Sequence, residues 1–400
     1  MKQLLVILFF LQSGLLGAAH ASAIQFNHRW EFSGNLQGTD LNQEGFSSLE
    51  QKGDFFGLIA LDQSLKWDSF FFEVRPELRI VNSTAFRAAP GDIAQPVLID
   101  QTRVMDFHQQ LWPSKDRRET TIIISDIEKL NLRYQSEQLD ALIGRNPFNP
   151  SILRLSPIWN KFSRNVFSQA YPGLQFNPDV AQIKFTHENI WIQNANVQSD
   201  FRELSSYLLL MGWAGESIEV QGLAGLLFDE TTVGFNASYT SSESLYKMEL
   251  LRVLANESFL VDHLEFALGY ESSWTSQFSV VFEYLYNDIS DNFEDPKDLN
   301  LGVSKFWTLR SKHYFLSQWD YQWNEVWSTA LIPILNLDDA SLSMGLNLRW
   351  LVNDDSELWL QGRIGFGKDQ SEFSDRSIVF PDSRYLGYNH VISLGGRVYF

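Results

Sequence analysis

Between Asp68 and Asn82 the chain alternates between apolar and polar positions. Phe70, Phe72, Val74, Leu78 and Ile80 fall on one face of an extended strand; Phe71, Glu73, Arg75, Glu77 and Arg79 fall on the other. Charges on one side, with only apolar residues or Pro76 opposite, do not suit a strand packed around a dry core. The simplest solution is a wall with lipid outside and a polar lumen inside. The pattern recurs along the chain. Leu342, Met344, Leu346, Leu348 and Trp350 oppose Ser341, Ser343, Gly345, Asn347 and Arg349, and Leu358, Leu360, Ile364 and Phe366 oppose Glu357, Gln361 and Arg363. Val233, Phe235, Ala237 and Tyr239 oppose Gly234, Asn236 and Ser238. A charge moved to the lipid face costs about 2–4 kcal/mol at the bilayer midplane. The segregation therefore has a physical cause.

Connection length then sets the strand count. A closed antiparallel barrel with both ends on one side needs an even number of strands, with short turns at one rim and long loops at the other. The candidate segments total an odd number, and the long connections 35–52, 83–125, 147–179 and 288–299 all follow odd-numbered ones. The last long connection, 369–384, follows an even-numbered one, so one segment is in excess, in the 300–310 and 312–323 region. The expectation is an all-β, transmembrane, antiparallel up-and-down barrel of 18 strands, with 16 as the alternative.

The N-terminus adds a compartment. Lys2, the apolar run Leu4 to Leu16 and the small-x-small triplet Ala21-Ser22-Ala23 read as a secretory signal peptide over 1–23, leaving one domain over 24–400. After it no run approaches the roughly 20 apolar residues of a spanning helix. Yet 44% of the chain is hydrophobic, with 31 Phe, 13 Trp and 13 Tyr, many at alternating positions and near strand ends, as aromatic girdles at a membrane interface require. There is no cysteine, which excludes a disulfide framework and thiol chemistry. The formal charge of −18 argues against a nucleic-acid partner. Much of that acidity lies in apparent loops such as 288–298, whose spacing lacks the glycine and terminal glutamate of a calcium loop, so no metal site or cofactor is expected.

The C-terminus points the same way. Ile392, Leu394, Val398 and Phe400 share one face of a final strand; Ser393, Gly395, Arg397 and Tyr399 share the other. An aromatic at the end of a strand leaves an open edge unless that strand closes a barrel. Residues 393–400 resemble the C-terminal assembly signal of Gram-negative outer-membrane barrels, in which Ser393, Gly395, Val398 and Phe400 match the pattern. The resemblance implies the barrel-assembly machinery, outer-membrane lipids and lipopolysaccharide as partners. No subunit interface is legible, and a homo-oligomer is left open.

Leu142-Ile143-Gly144-Arg145, ending a strand before the Asn/Pro-rich segment 146–150, resembles the porin-like alginate-export and related channel families over about 40 residues. Where those families continue with Gln and then Trp-Gly, this chain has Asn146-Pro147-Phe148. The resemblance implies an inward-folding loop with Arg145 at its root. That loop carries Arg154, Lys161 and Arg164 among apolar residues, a composition suited to narrowing a pore, or equally to an ordinary external loop. Arg349, Arg363 and Arg397 on the last three strands, with Arg75, Arg79 and Arg133 on early ones, are expected to line the pore as a basic strip across the closing seam. Glu73, Glu77, Glu265, Glu283 and Glu357 offset it, or simply pair with it. Opposed charges in a narrow channel orient water and guide ions.

Catalysis has no candidate residues. After the predicted signal peptide no His-x-Ser pair occurs, there is no nucleophile elbow or phosphate loop, and His390 and Ser393 point to opposite faces of a strand. The sequence thus predicts a passive outer-membrane channel for small hydrophilic solutes, selective for anionic or oligosaccharide substrates in its narrower form. A structural or adhesive barrel with a closed lumen is the alternative, and a hydrolase ranks below both.

Overall fold

Strands begin where alternation begins and end at turn residues. The computed structural model describes residues 24–39, 54–82, 109–112, 121–159, 177–199, 205–254, 262–288, 311–368, 373, 378–379, 384–385 and 391–400. The first elements are β1 (Ile24–Thr39), β2 (Asp54–Trp67), β3 (Phe70–Asn82), β4 (Gln109–Trp112), β5 (Thr121–Gln135), β6 (Leu139–Arg145) and β7 (Asp179–His187). Next come β8 (Ile190–Gln198), β9 (Ser206–Ala214), β10 (Ile218–Leu227), β11 (Glu230–Thr240), β12 (Ser244–Leu254), β13 (His263–Ser273) and β14 (Phe278–Asn287). The last are β15 (His313–Gln322), β16 (Trp327–Asn336), β17 (Leu342–Asn353), β18 (Ser356–Phe366), β19 (Ile378–Val379), β20 (Arg384–Tyr385) and β21 (Val391–Tyr399).

All but β4, β19 and β20 form one closed antiparallel barrel of 18 strands. Each wall strand pairs with its chain neighbour, β3 pairs with β5, and β21 closes the ring between β18 and β1. β4 lies on β5, and β19 with β20 makes a separate small hairpin. The expected count of 18 is the one observed. Of the two segments in question, 312–323 supplies the wall strand β15, while 300–310 lies outside the described residues, as does the predicted signal peptide 1–23. The short pairing of β4 with β5, inside what reads as a long loop, was not anticipated.

Short turns gather at one rim, between β2 and β3, β5 and β6, β7 and β8, and so on to β17 and β18. Asp68 and Glu188 occupy such turns with φ near +50°, a left-handed conformation that tight reversals demand. The chain end sits at this rim and is fully paired. Trp30 and Phe400 exchange both backbone hydrogen bonds at 3.0 Å, and the Phe400 ring meets Phe32 edge-on at 5.7 Å. The outward face is apolar and carries aromatic contacts near the short turns, among them Trp67–Phe70, Tyr321–Trp323 and the parallel pair Trp327–Trp350. Such a belt suits a membrane interface.

The inward face departs from the expectation of a polar lumen throughout. β9 is apolar on both sides: Tyr207, Leu209, Met211 and Trp213 are exposed, while Leu208 and Leu210 are buried inside. Together with Val180, Ala195, Val197, Leu223, Leu251, Val253, Ala267, Val281, Leu285 and Leu316, they form a hydrophobic core within the barrel. Something must cover that core, and the segment after β6 does so.

Candidate functional site: a strapped lumen

Pro147, Pro150 and Pro157 deny the segment 147–159 a regular ladder, since proline has no N–H and fixes φ. Its remaining donors need acceptors elsewhere. Two wall carboxylates supply them. Glu249 on β12 accepts from the Ser151 hydroxyl at 2.7 Å and from the backbone N–H groups of Ile152 at 2.5 Å and Leu153 at 3.3 Å. Glu283 on β14 accepts from the N–H groups of Arg154 at 2.8 Å, Leu155 at 3.0 Å and Ser156 at 2.5 Å, and from the Ser156 hydroxyl at 2.7 Å. Both glutamates are buried.

Apolar side chains complete the strap. Phe148, Leu153, Leu155, Ile158 and Trp159 are all buried against the inner core, each burial stabilising by about 2 kcal/mol. Two glycines make room. A Cβ at Gly234 on β11 would lie 2.9 Å from the Trp159 ring, and one at Gly269 on β13 would lie 2.8 Å from Leu153 Cδ2. The Trp159 indole N–H donates to the Leu250 carbonyl at 3.0 Å. Arg154 points away from the core and meets Asp320 on β15 at 3.5 Å. The strap therefore lines β11 to β15.

Its root is Arg145. Alternation from buried Leu142 and exposed Ile143 would turn Arg145 outward, onto the side of Ile143. Gly144, at φ +126°, re-aims the chain, and the guanidinium reaches Asp179 at 3.0 Å, Asp126 at 3.3 Å and the Ile127 carbonyl at 2.5 Å. Arg145 thus holds the strap's base and does not present its charge to the lumen. Arg79 is corrected likewise: it is buried, beside Glu77 and 4.0 Å from Asp126.

Opposite the strap the wall is charged. Arg349 (β17) pairs with Glu357 (β18), which lies 3.6 Å from Arg397 (β21). Arg397 reaches Glu31 (β1) at 3.2 Å. Arg75 (β3) binds Glu31 at 2.7 Å, Asp62 (β2) at 2.7 Å and Glu128 (β5) at 2.8 Å. Seven consecutive strands each give one charge to this ladder, which spans the seam. The expected basic strip is therefore interleaved with carboxylates. Exposure differs along the ladder: the Arg349 side chain is 52% exposed against 11% for Glu357 and Arg397 30% against 4% for Glu31, whereas Arg75 is 18% exposed against 39% for Asp62. Arg363 donates to the Ser343 hydroxyl at 2.8 Å, and Arg133 pairs with Asp140 nearer the short turns. Lys161 and Arg164 lie outside the described residues.

Ser393 and Gly395 of the C-terminal pattern face inward on β21, with the Trp359 ring packed over Gly395. Sequence reasoning missed Glu249 and the strap's glycines. The available signal was a pair of inward glycines facing a proline-broken loop rich in Leu and Trp.

Solved structures share this architecture. OccAB4 of Acinetobacter baumannii superposes with a TM-score of 0.57 at 7% identity, covering 95% of this chain and 99% of that one. OccAB3 of the same organism gives 0.56 at 10% identity, over 94% and 99%. OccK8 (OprE) of Pseudomonas aeruginosa gives 0.56 at 8% identity, over 94% and 98%. At such identities the likeness establishes the fold, an 18-stranded barrel shared with Gram-negative outer-membrane porins. No protein-family profile and no curated protein sequence matches the chain.

Proposed function

We propose that this chain is an outer-membrane channel through which small hydrophilic solutes diffuse passively. One observation carries the reading: the strap fills one side of the barrel, and the opposite wall keeps a ladder of paired charges from which Arg349, Asp62 and Arg397 reach solvent. A barrel closed for purely structural ends has no need to hold a polar passage beside an apolar plug. The solved neighbours, which are outer-membrane channels and not enzymes, support the same reading. Residues 1–23 fit the role as the export signal, the apolar belt as the lipid contact, and Ser393, Gly395, Val398 and Phe400 as the signal for the assembly machinery.

Anionic solutes are the favoured class. At Arg349 and Arg397 the guanidinium side chains are more exposed than Glu357 and Glu31, the carboxylates that hold them, so a passing anion meets these two cations. In planar bilayers under a KCl gradient, the wild type is expected to show a reversal potential of the sign for chloride preference. Replacing Arg349 and Arg397 together by Ala is expected to move it to neutrality or to cation preference. An unchanged reversal potential in that variant removes the electrostatic part of the reading.

A further inference from the structure

The strap meets its wall through an unusual interface: two carboxylates, from β12 and β14, face an unbroken run of backbone donors from Ile152 to Ser156. Among the described residues, nothing on the strap accepts from the wall at these points. The matching is therefore one-sided, anion against amide. A neutral, isosteric glutamine would turn its own NH2 group toward N–H donors and leave several of them buried without an acceptor. Lifting off the wall would restore water to those donors.

We propose that Glu249 and Glu283 form a latch that holds the strap flat against β11 to β15 and the channel open. When their charge is lost, the strap swings from its root at Arg145 into the passage and shuts it. The two glutamates are positioning residues: they act on solutes only through the strap. Neighbouring charges do not take over the latch. Lys247 on β12 pairs with Glu271 on β13, and Asp320 on β15 pairs with Arg154. The inference rests on the channel reading, and its test separates the two.

The test is single-channel recording of three forms of the full chain. Wild type is expected to stay open for long periods, and E249Q/E283Q to flicker, with mean open time shortened at least tenfold. The chain has no cysteine, so Leu153→Cys with Gly269→Cys adds a tether at a point where a Cβ on residue 269 would lie 2.8 Å from Leu153 Cδ2. Oxidising that pair in the E249Q/E283Q background is expected to restore steady opening. Mere weakening of the barrel would not be repaired by one bond at the strap. Should E249Q/E283Q fail to fold, S151A/S156A keeps both carboxylates and removes two hydroxyl donors; it is expected to flicker at a rate above wild type. Steady opening in the folded glutamine variant, or in the serine variant where that stands in for it, overturns the latch alone. So does flicker that the oxidised tether leaves unchanged. Silence of the folded wild type overturns the channel and the latch together.

Discussion

Replacing Gly144 by Val is expected to abolish accumulation of the folded barrel. A Cβ at this position would lie 2.1 Å from the Leu130 carbonyl oxygen and 2.8 Å from the Asn131 Cα, both backbone atoms that cannot move aside. The backbone is at φ +126°, where a β-branched residue is strained by itself at about 1–3 kcal/mol. The larger effect follows through Arg145. Without the turn at Gly144 its guanidinium returns to the outward face, and the buried Asp126 and Asp179 lose their shared cation. Removing one partner of a buried ion pair costs about 3–5 kcal/mol, and the total approaches the whole stability of an ordinary domain. Gly222 is the control: it lies mid-strand on β10, and nothing comes within 4 Å of a Cβ there. Heat-modifiable gel mobility of refolded protein reads both variants. A Gly144→Val barrel that folds as well as Gly222→Val contradicts the assignment of the strap's root.

The second large effect is expected at Glu31. Its buried carboxylate joins Arg397 of the last strand to Arg75 of the third, across the place where the ring closes. The strands there share nine paired positions, from Glu31 with Tyr399 to Thr39 with Val391. Backbone hydrogen bonds hold the register, but the two guanidinium groups lose their common anion if Glu31 becomes Leu. Arg75 keeps Asp62 and Glu128, and Arg397 keeps Glu357, so the cost falls at the lower end of the buried-pair range, about 3 kcal/mol. Denaturant unfolding in a lipid or detergent environment should show it as a lower midpoint. A change within about 0.5 kcal/mol, the size of an ordinary surface substitution, contradicts the view of Glu31 as the pin of the seam.

The wall was legible in the sequence because a barrel strand obeys one strict rule, a side-chain period of two. Phe70 to Ile80 and Leu342 to Trp350 declare both faces, and loop-length parity brought an odd list of segments to the observed count of 18 strands. Inward geometry was less legible. Arg145 was placed at the root of an inward loop by resemblance, yet its direction depends on a positive φ at Gly144 that alternation cannot express. The basic strip was read from arginines counted on one face; the carboxylates between them come from other strands, and only the register brings Glu31 beneath both Arg75 and Arg397. The apolar interior was missed although Tyr207 to Trp213 is hydrophobic at both parities. That doubled pattern signals a strand with lipid on one side and protein on the other, and it was written in the chain. Glu249 gave no such signal, since a lone carboxylate in a strand does not reveal that a distant loop will bring its N–H groups to it.

The proposed channel, a charged passage beside a strap latched to the wall, makes one demand on the purified protein. Reconstituted in planar bilayers, the folded chain should give stepwise ion conductance that small neutral polymers reduce on entering the passage and larger ones leave untouched. Folded protein that yields no steps, or whose conductance is indifferent to polymers of every size, contradicts the account.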